Sequence, residues 1–147
     1  MTTKLDALKS IREQLKLATG PSERLAAEIL QIIVAPDGYV EQSKINGNWC
    51  IYEPTKRLWE RRGDWWRRDG WPLTSSLDAA IAFVERVLPA ANCHGYDKSP
   101  SGVTAYVSRN YVAEGHWMVA ADHKTLALAL LLAAFNALIS IEEGKAK

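Results

Sequence analysis

The chain has 147 residues, a formal net charge of +1, and 48% hydrophobic against 24% charged residues. That length suits a single domain able to remove about two-thirds of its unfolded surface from water, and the composition excludes wholesale disorder. Near-neutral charge excludes the global basic field that drives non-specific nucleic-acid binding, so electrostatic recognition has to come from a local patch.

Residues Lys4 to Ala18 carry Leu5, Leu8, Ile11, Leu15 and Leu17 mostly at i, i+3, i+4 spacing, which predicts an amphipathic helix, an attachment to the core domain over residues 1–19. The start, Met1-Thr2-Thr3-Lys4-Leu5-Asp6, has no apolar h-region and predicts no signal peptide. Gly20 and Pro21-Ser22 stop this helix and open a second one over Glu23 to Val34, with Leu25, Ala26, Ile29, Leu30, Ile32 and Ile33 on its apolar face.

From Tyr39 to Trp71 the chain turns aromatic and poor in alanine. Val40 to Ile45 and Trp49 to Glu53 flank Asn46-Gly47-Asn48, a hairpin signal; Leu58 to Arg61 and Trp65 to Arg68 flank a second turn at Arg62-Gly63-Asp64. Ser75 and Ser76 cap a third helix whose buried stripe reads Leu77, Ala80, Ile81, Val84 and Leu88, closed by Pro89. Lys98-Ser99-Pro100-Ser101-Gly102 reads as a loop. Strands follow at Val103 to Arg109, where Val103, Ala105 and Val107 alternate with Thr104, Tyr106 and Ser108, and at His116 to Ala120. The last helix, Lys124 to Ile141, is nearly all Ala and Leu, so it is either the most buried element or an oligomer interface. Its apolar run, Leu126 to Phe135, is too short to span a bilayer. The sum is an α+β fold, a mainly antiparallel sheet packed between helices, in one domain of residues 1–147.

The chemistry-bearing candidate is the Lys56–Trp71 segment. Lys56, Arg57, Arg61, Arg62, Arg67 and Arg68 interleave there with Trp59, Trp65, Trp66 and Trp71, four of the chain's six tryptophans. Guanidinium forks grip phosphates and indole faces stack on nucleobases, so the pairing suits a nucleotide. Arg and Trp also dominate protein–protein hot spots, and a half-buried strand with a core face and a solvated face gives the same string. Arg109, Tyr111 and His116 border the second hairpin loop and would complete a pocket if that loop folds beside the segment.

Other chemistries find little footing. Cys50, Cys93-His94, His116 and His123 lack the short paired spacing a zinc site uses, so no metal is expected. In a chain with no secretion signal the two cysteines read as free thiols and the compartment as the cytoplasm. There is no G-x-G-x-x-G or G-x-x-x-x-G-K phosphate loop, and Glu60, Asp64 and Asp69 lie among arginines, which suits ion pairing. No catalytic residue and no cofactor are expected.

Three stretches carry a family resemblance: Ala18-Thr19-Gly20-Pro21-Ser22-Glu23-Arg24-Leu25 before a helix, Leu73-Thr74-Ser75-Ser76-Leu77-Asp78-Ala79-Ala80-Ile81 opening the third helix, and Thr125-Leu126-Ala127-Leu128-Ala129-Leu130 leading the last. Their order resembles the phage ABA sandwich domain family, small phage and prophage proteins with a sheet between helix layers; the Trp/Arg segment departs from that pattern. The resemblance implies a non-enzymatic phage protein that sequesters a nucleotide immune signal to counter host defence, as a homo-oligomer in the host cytoplasm. Ligand contacts are then expected from Arg57, Arg62, Arg67, Arg68 and Arg109 on phosphates and from Trp59, Trp65 and Trp66 on the base. The alternative is an interaction protein docking this surface on a host protein. A nucleic-acid-binding module comes third, because the net charge is near zero.

Overall fold

The computed structural model describes residues 3–34, 38–42, 44, 49–52, 73–88, 93–100, 102–110 and 116–145. Helix α1, Lys4–Leu17, opens on a reciprocal cap: the Asp6 N–H donates to Thr3 Oγ1, and the Thr3 N–H donates to the Asp6 carboxylate. Leu8, Ile11 and Leu15 are buried, while Leu17 is exposed, because it falls about 200° around the helix from Leu15. Helix α2, Glu23–Val34, starts from Ser22, whose hydroxyl accepts from the Leu25 N–H. It buries Leu25, Ala26, Ala27, Ile29 and Leu30.

Strands β1, Tyr39–Gln42, and β2, Trp49–Tyr52, form an antiparallel hairpin that pairs Tyr39 with Tyr52 and Gln42 with Trp49. Residues 43, 45–48 and 53 of the expected hairpin, and the whole second expected pair, 58–61 with 65–68, lie outside the described residues. Helix α3, Leu77–Val87, is capped by the Ser76 hydroxyl, which accepts from the Ala79 N–H, and it ends at Leu88. Its buried stripe is Ala79, Ala80, Phe83 and Val84, with Leu88 behind it. Leu77, expected inside, is exposed, because the helical phase set by Phe83 turns it outward.

Strand β3, Cys93–Ser99, is not predicted by its sequence, in which residues 98–102 read as a loop. It pairs antiparallel with β4, Gly102–Asn110, which pairs in turn with β5, His116–His123, giving the order β3-β4-β5. Ala105, Val107 and Ala121 are buried on one face, and Thr104 and Asp122 lie on the other. Helix α4, Leu126–Lys145, starts two residues later and runs four further than the composition suggests. Thr125 is its cap, accepting from the Leu128 N–H.

Helix α4 organises the rest. It packs on β4 and β5 with one side and on α1 and α3 with others, so every residue from Ala127 to Phe135 is buried. Phe135 and Phe83 lie nearly parallel across the α3–α4 contact, centroids 6.2 Å apart. Residues Leu126–Gly144 are long and apolar enough to cross a membrane, with mean hydropathy 1.8, yet 61% of that stretch is buried inside the fold. Burial on all sides accounts for the apolarity. Helix α1 runs antiparallel to α4: Lys4 and Lys9 pair with Glu142 and Glu143, and at the other end His123, just before α4, meets the Leu15 carbonyl at 2.6 Å. The hairpin β1–β2 rests on α2. The whole is one α+β domain with antiparallel sheets packed against helices.

Candidate functional site

Two fixed points frame the Trp/Arg segment. On its C-terminal side, Leu73 and Thr74 are buried against the start of α2. The Ser22 N–H donates to Thr74 Oγ1 at 2.8 Å, and the Thr74 hydroxyl donates to the Ser22 carbonyl at 2.9 Å. One hydroxyl thus serves both backbone groups of a helix cap: it is the acceptor for the Ser22 N–H and a second donor to the Ser22 carbonyl, which also accepts from the Ala26 N–H at 3.0 Å.

On the N-terminal side the segment continues from β2. The hairpin lies along α2, and Gln31 Nε2 donates to the Gly38 carbonyl at 3.2 Å, holding the start of β1 beside the last turn of α2. At the other end of the hairpin the Arg24 guanidinium sits over the Trp49 ring, 5.4 Å from its centroid. Tyr52, the last described residue before the segment, therefore lies toward the C-terminal end of α2, and Leu73, the first after it, lies toward its N-terminal end. With 12 residues in α2, the two points are on the order of 18 Å apart.

Arg24, Trp49 and Glu28 form the Trp/Arg contact that the described residues contain. Arg24 Nε donates to Glu28 Oε1 at 3.2 Å, which fixes the guanidinium plane over the indole. At this exposure the cation–π contact contributes about 0.5–1 kcal/mol. Sequence reading missed it because Arg24 and Trp49 are 25 positions apart; the one local signal is an arginine in the first turn of a helix that precedes an aromatic hairpin. Tyr39 and Tyr52 stack across the open end of the hairpin, centroids 5.1 Å apart with 21° between the rings.

Arg57, Trp59, Arg62, Trp65, Trp66, Arg67 and Arg68 lie outside the described residues. Arg109 is near the end of β4, where the register sets it opposite Trp117, next to the Asn110–His116 pair. Tyr111 also lies outside the described residues.

A second polar constellation occupies the solvated face of β3–β5. The register aligns Asp97, Thr104 and Asp122 in a row across three strands. The Thr104 hydroxyl donates to Asp122 Oδ1, and the Tyr106 hydroxyl donates to Asp97 Oδ2 at 2.8 Å. The hydrogen bond to Asp97 holds the Tyr106 phenol above its ordinary pKa, with desolvation and the Asp97 and Asp122 charges adding to it. Sequence reading missed the row because β3 was not recognised as a strand. Among the described residues no three His, Cys, Asp or Glu side chains gather as a metal ion would require. His123 is occupied: its Nδ1 accepts from the Lys124 N–H at 2.8 Å, so its Nε2–H is the donor to the Leu15 carbonyl.

No protein-family model, curated protein or solved structure matches the chain.

Proposed function

We propose that the chain is a non-enzymatic binding protein that sequesters a small nucleotide-type ligand through its Trp/Arg segment. The observation that carries this reading is compositional: six Lys and Arg side chains interleave with four of the chain's six tryptophans within residues 56–71. Guanidinium groups supply charge-assisted, bidentate bonds to phosphate, and indoles supply flat stacking surfaces that tolerate any base. Arg57, Arg62, Arg67 and Arg68 are assigned to phosphates, Trp59, Trp65 and Trp66 to the base, and Arg109 to the rim. The described residues that flank the segment, Tyr52 in β2 and Thr74 on α2, are held by the fold, and this favours the reading because a chain fixed at both ends has less entropy to lose on binding. The likeness to phage ABA sandwich proteins supplies the setting, in which a phage or prophage protein withholds a nucleotide immune signal from the host.

Thermal unfolding across a panel of linear and cyclic nucleotides tests the reading. A ligand at a hundred times its Kd stabilises the native state by about 2.7 kcal/mol, which raises the Tm by about 5–10 °C. Arg67→Ala and Trp66→Ala should abolish that rise while leaving the ligand-free Tm unchanged, and the ligand should be recovered intact after heat denaturation. A panel without any shift, or recovery of cleaved ligand, overturns the proposal.

A further inference from the structure

Among the described strands β3 is an edge, and its surface is unusual. Among the described residues it pairs with β4 alone, and its register with β4 runs unbroken over all seven residues. Natural edges are blunted by bulges, prolines or charge. Within β3 the only such features are Asp97 and Lys98, beside Tyr96, which is 60% exposed. Exposed aromatic surface on a long edge is a template for pairing with another strand.

The direction of the backbone groups follows from the hairpin. Two residues separate Ser99 from Gly102, which the ladder sets directly opposite each other, so these two form a hydrogen-bonded pair across the turn. Bonded and non-bonded pairs alternate along an antiparallel ladder. Cys93, Gly95, Asp97 and Ser99 therefore spend their N–H and C=O groups on β4, and His94, Tyr96 and Lys98 direct theirs off the edge.

We propose that β3 is a homodimer interface in which a second copy of this chain adds its own β3 antiparallel to the first, with the two-fold axis at Tyr96. Tyr96 is the midpoint of the strand and belongs to the outward-bonding set. That register pairs all seven residues: Tyr96 with Tyr96 of the second copy, His94 with Lys98, Gly95 with Asp97, and Cys93 with Ser99. Three bonded pairs, two hydrogen bonds each, give about six backbone bonds. The sequence of the strand also selects this register. An axis at Lys98 sets two ammonium groups opposite each other, and one at Asp97 sets two carboxylates opposite each other on groups already bonded to β4. An axis at His94 leaves Asp97 and Lys98 beyond the end of the partner strand. An axis at Gly95 opposes no like charges but leaves Lys98 and Ser99 beyond the end of the partner strand, so the Tyr96 register is the one that pairs all seven residues without opposing like charges. The product is a closed two-fold dimer in which the two β3-β4-β5 sheets join into one.

Sedimentation equilibrium over a concentration series, combined with amide hydrogen exchange, tests the proposal on the full chain. The wild type should reach dimer mass, with the His94, Tyr96 and Lys98 amides protected in proportion to the dimer fraction. Tyr96→Lys, which places two ammonium groups at the axis, should be monomeric with an unchanged circular dichroism spectrum. A wild type that stays monomeric at all concentrations overturns the proposal. So does a dimer whose three outward amides exchange freely, a result that needs no variant to fold.

Discussion

Thr74 shows how much one hydroxyl can hold. It is 3% exposed, and across 52 positions of sequence its hydroxyl accepts from the Ser22 N–H and donates to the Ser22 carbonyl. Thr74→Val keeps the shape and removes both bonds, leaving the part-buried Ser22 N–H without this acceptor. The expected loss is about 1–3 kcal/mol, read as a lower urea midpoint, and Thr74→Ser should recover most of it. At Tyr106 the expected effect is on pH dependence. Its phenol is held above the ordinary value of about 10 by the bond to Asp97. A raised folded-state pKa means the contribution to stability is fully present below the unfolded value and is lost as pH rises through the folded one. Asp97→Ala should bring the Tyr106 titration, followed by ring-carbon NMR, back down, and Tyr106→Phe should remove this part of the alkaline loss of stability.

Among the elements, the hairpin β3–β4 depends on one backbone position. Gly102 has φ +147°, and a Cβ there would strike the His123 carbonyl at the end of β5. Gly102→Ala should therefore cost more than the about 1–3 kcal/mol of backbone strain alone, and hydrogen exchange should show the loss first at the end of β4 nearest Gly102. The helices were the legible part of the sequence: Ser22, Ser76 and the i, i+3, i+4 spacing of apolar residues mark α2 and α3 to within a residue or two. Strand β3 was not legible, because Cys93-His94-Gly95-Tyr96-Asp97-Lys98-Ser99 has neither alternation nor β-branched residues. It is a strand through tertiary pairing with β4, whose own alternation was plain. Phase errors had the same origin: Leu17 and Leu77 are apolar but lie at the ends of their helices, where spacing alone does not show which neighbours reach them. The Arg24–Trp49 contact and the Asp97–Thr104–Asp122 row were hidden for a further reason, since both join residues that only the fold brings together.

At the scale of the whole molecule, one core runs through every helix and into β2, β4 and β5. Leu15 of α1 is fully buried in it, so Leu15→Ala should lower global stability by about 2–5 kcal/mol. Far-UV circular dichroism and tryptophan fluorescence should still report one coincident unfolding transition. Fraying of α1 ahead of the rest would instead make it a separate unit.

The pinning of Ser22 to Thr74 also bears on engineering. Residues 53–72 bridge two points set about 18 Å apart by the length of α2, well within the root-mean-square reach of about 25 Å for a flexible chain of that length. Closing such a connection costs only about 0.6 kcal/mol more for each doubling of its length. The helices and sheets thus amount to an acceptor frame: foreign inserts of very different size could be grafted between Tyr52 and Leu73, with the same two hydroxyl-mediated bonds clasping each one shut.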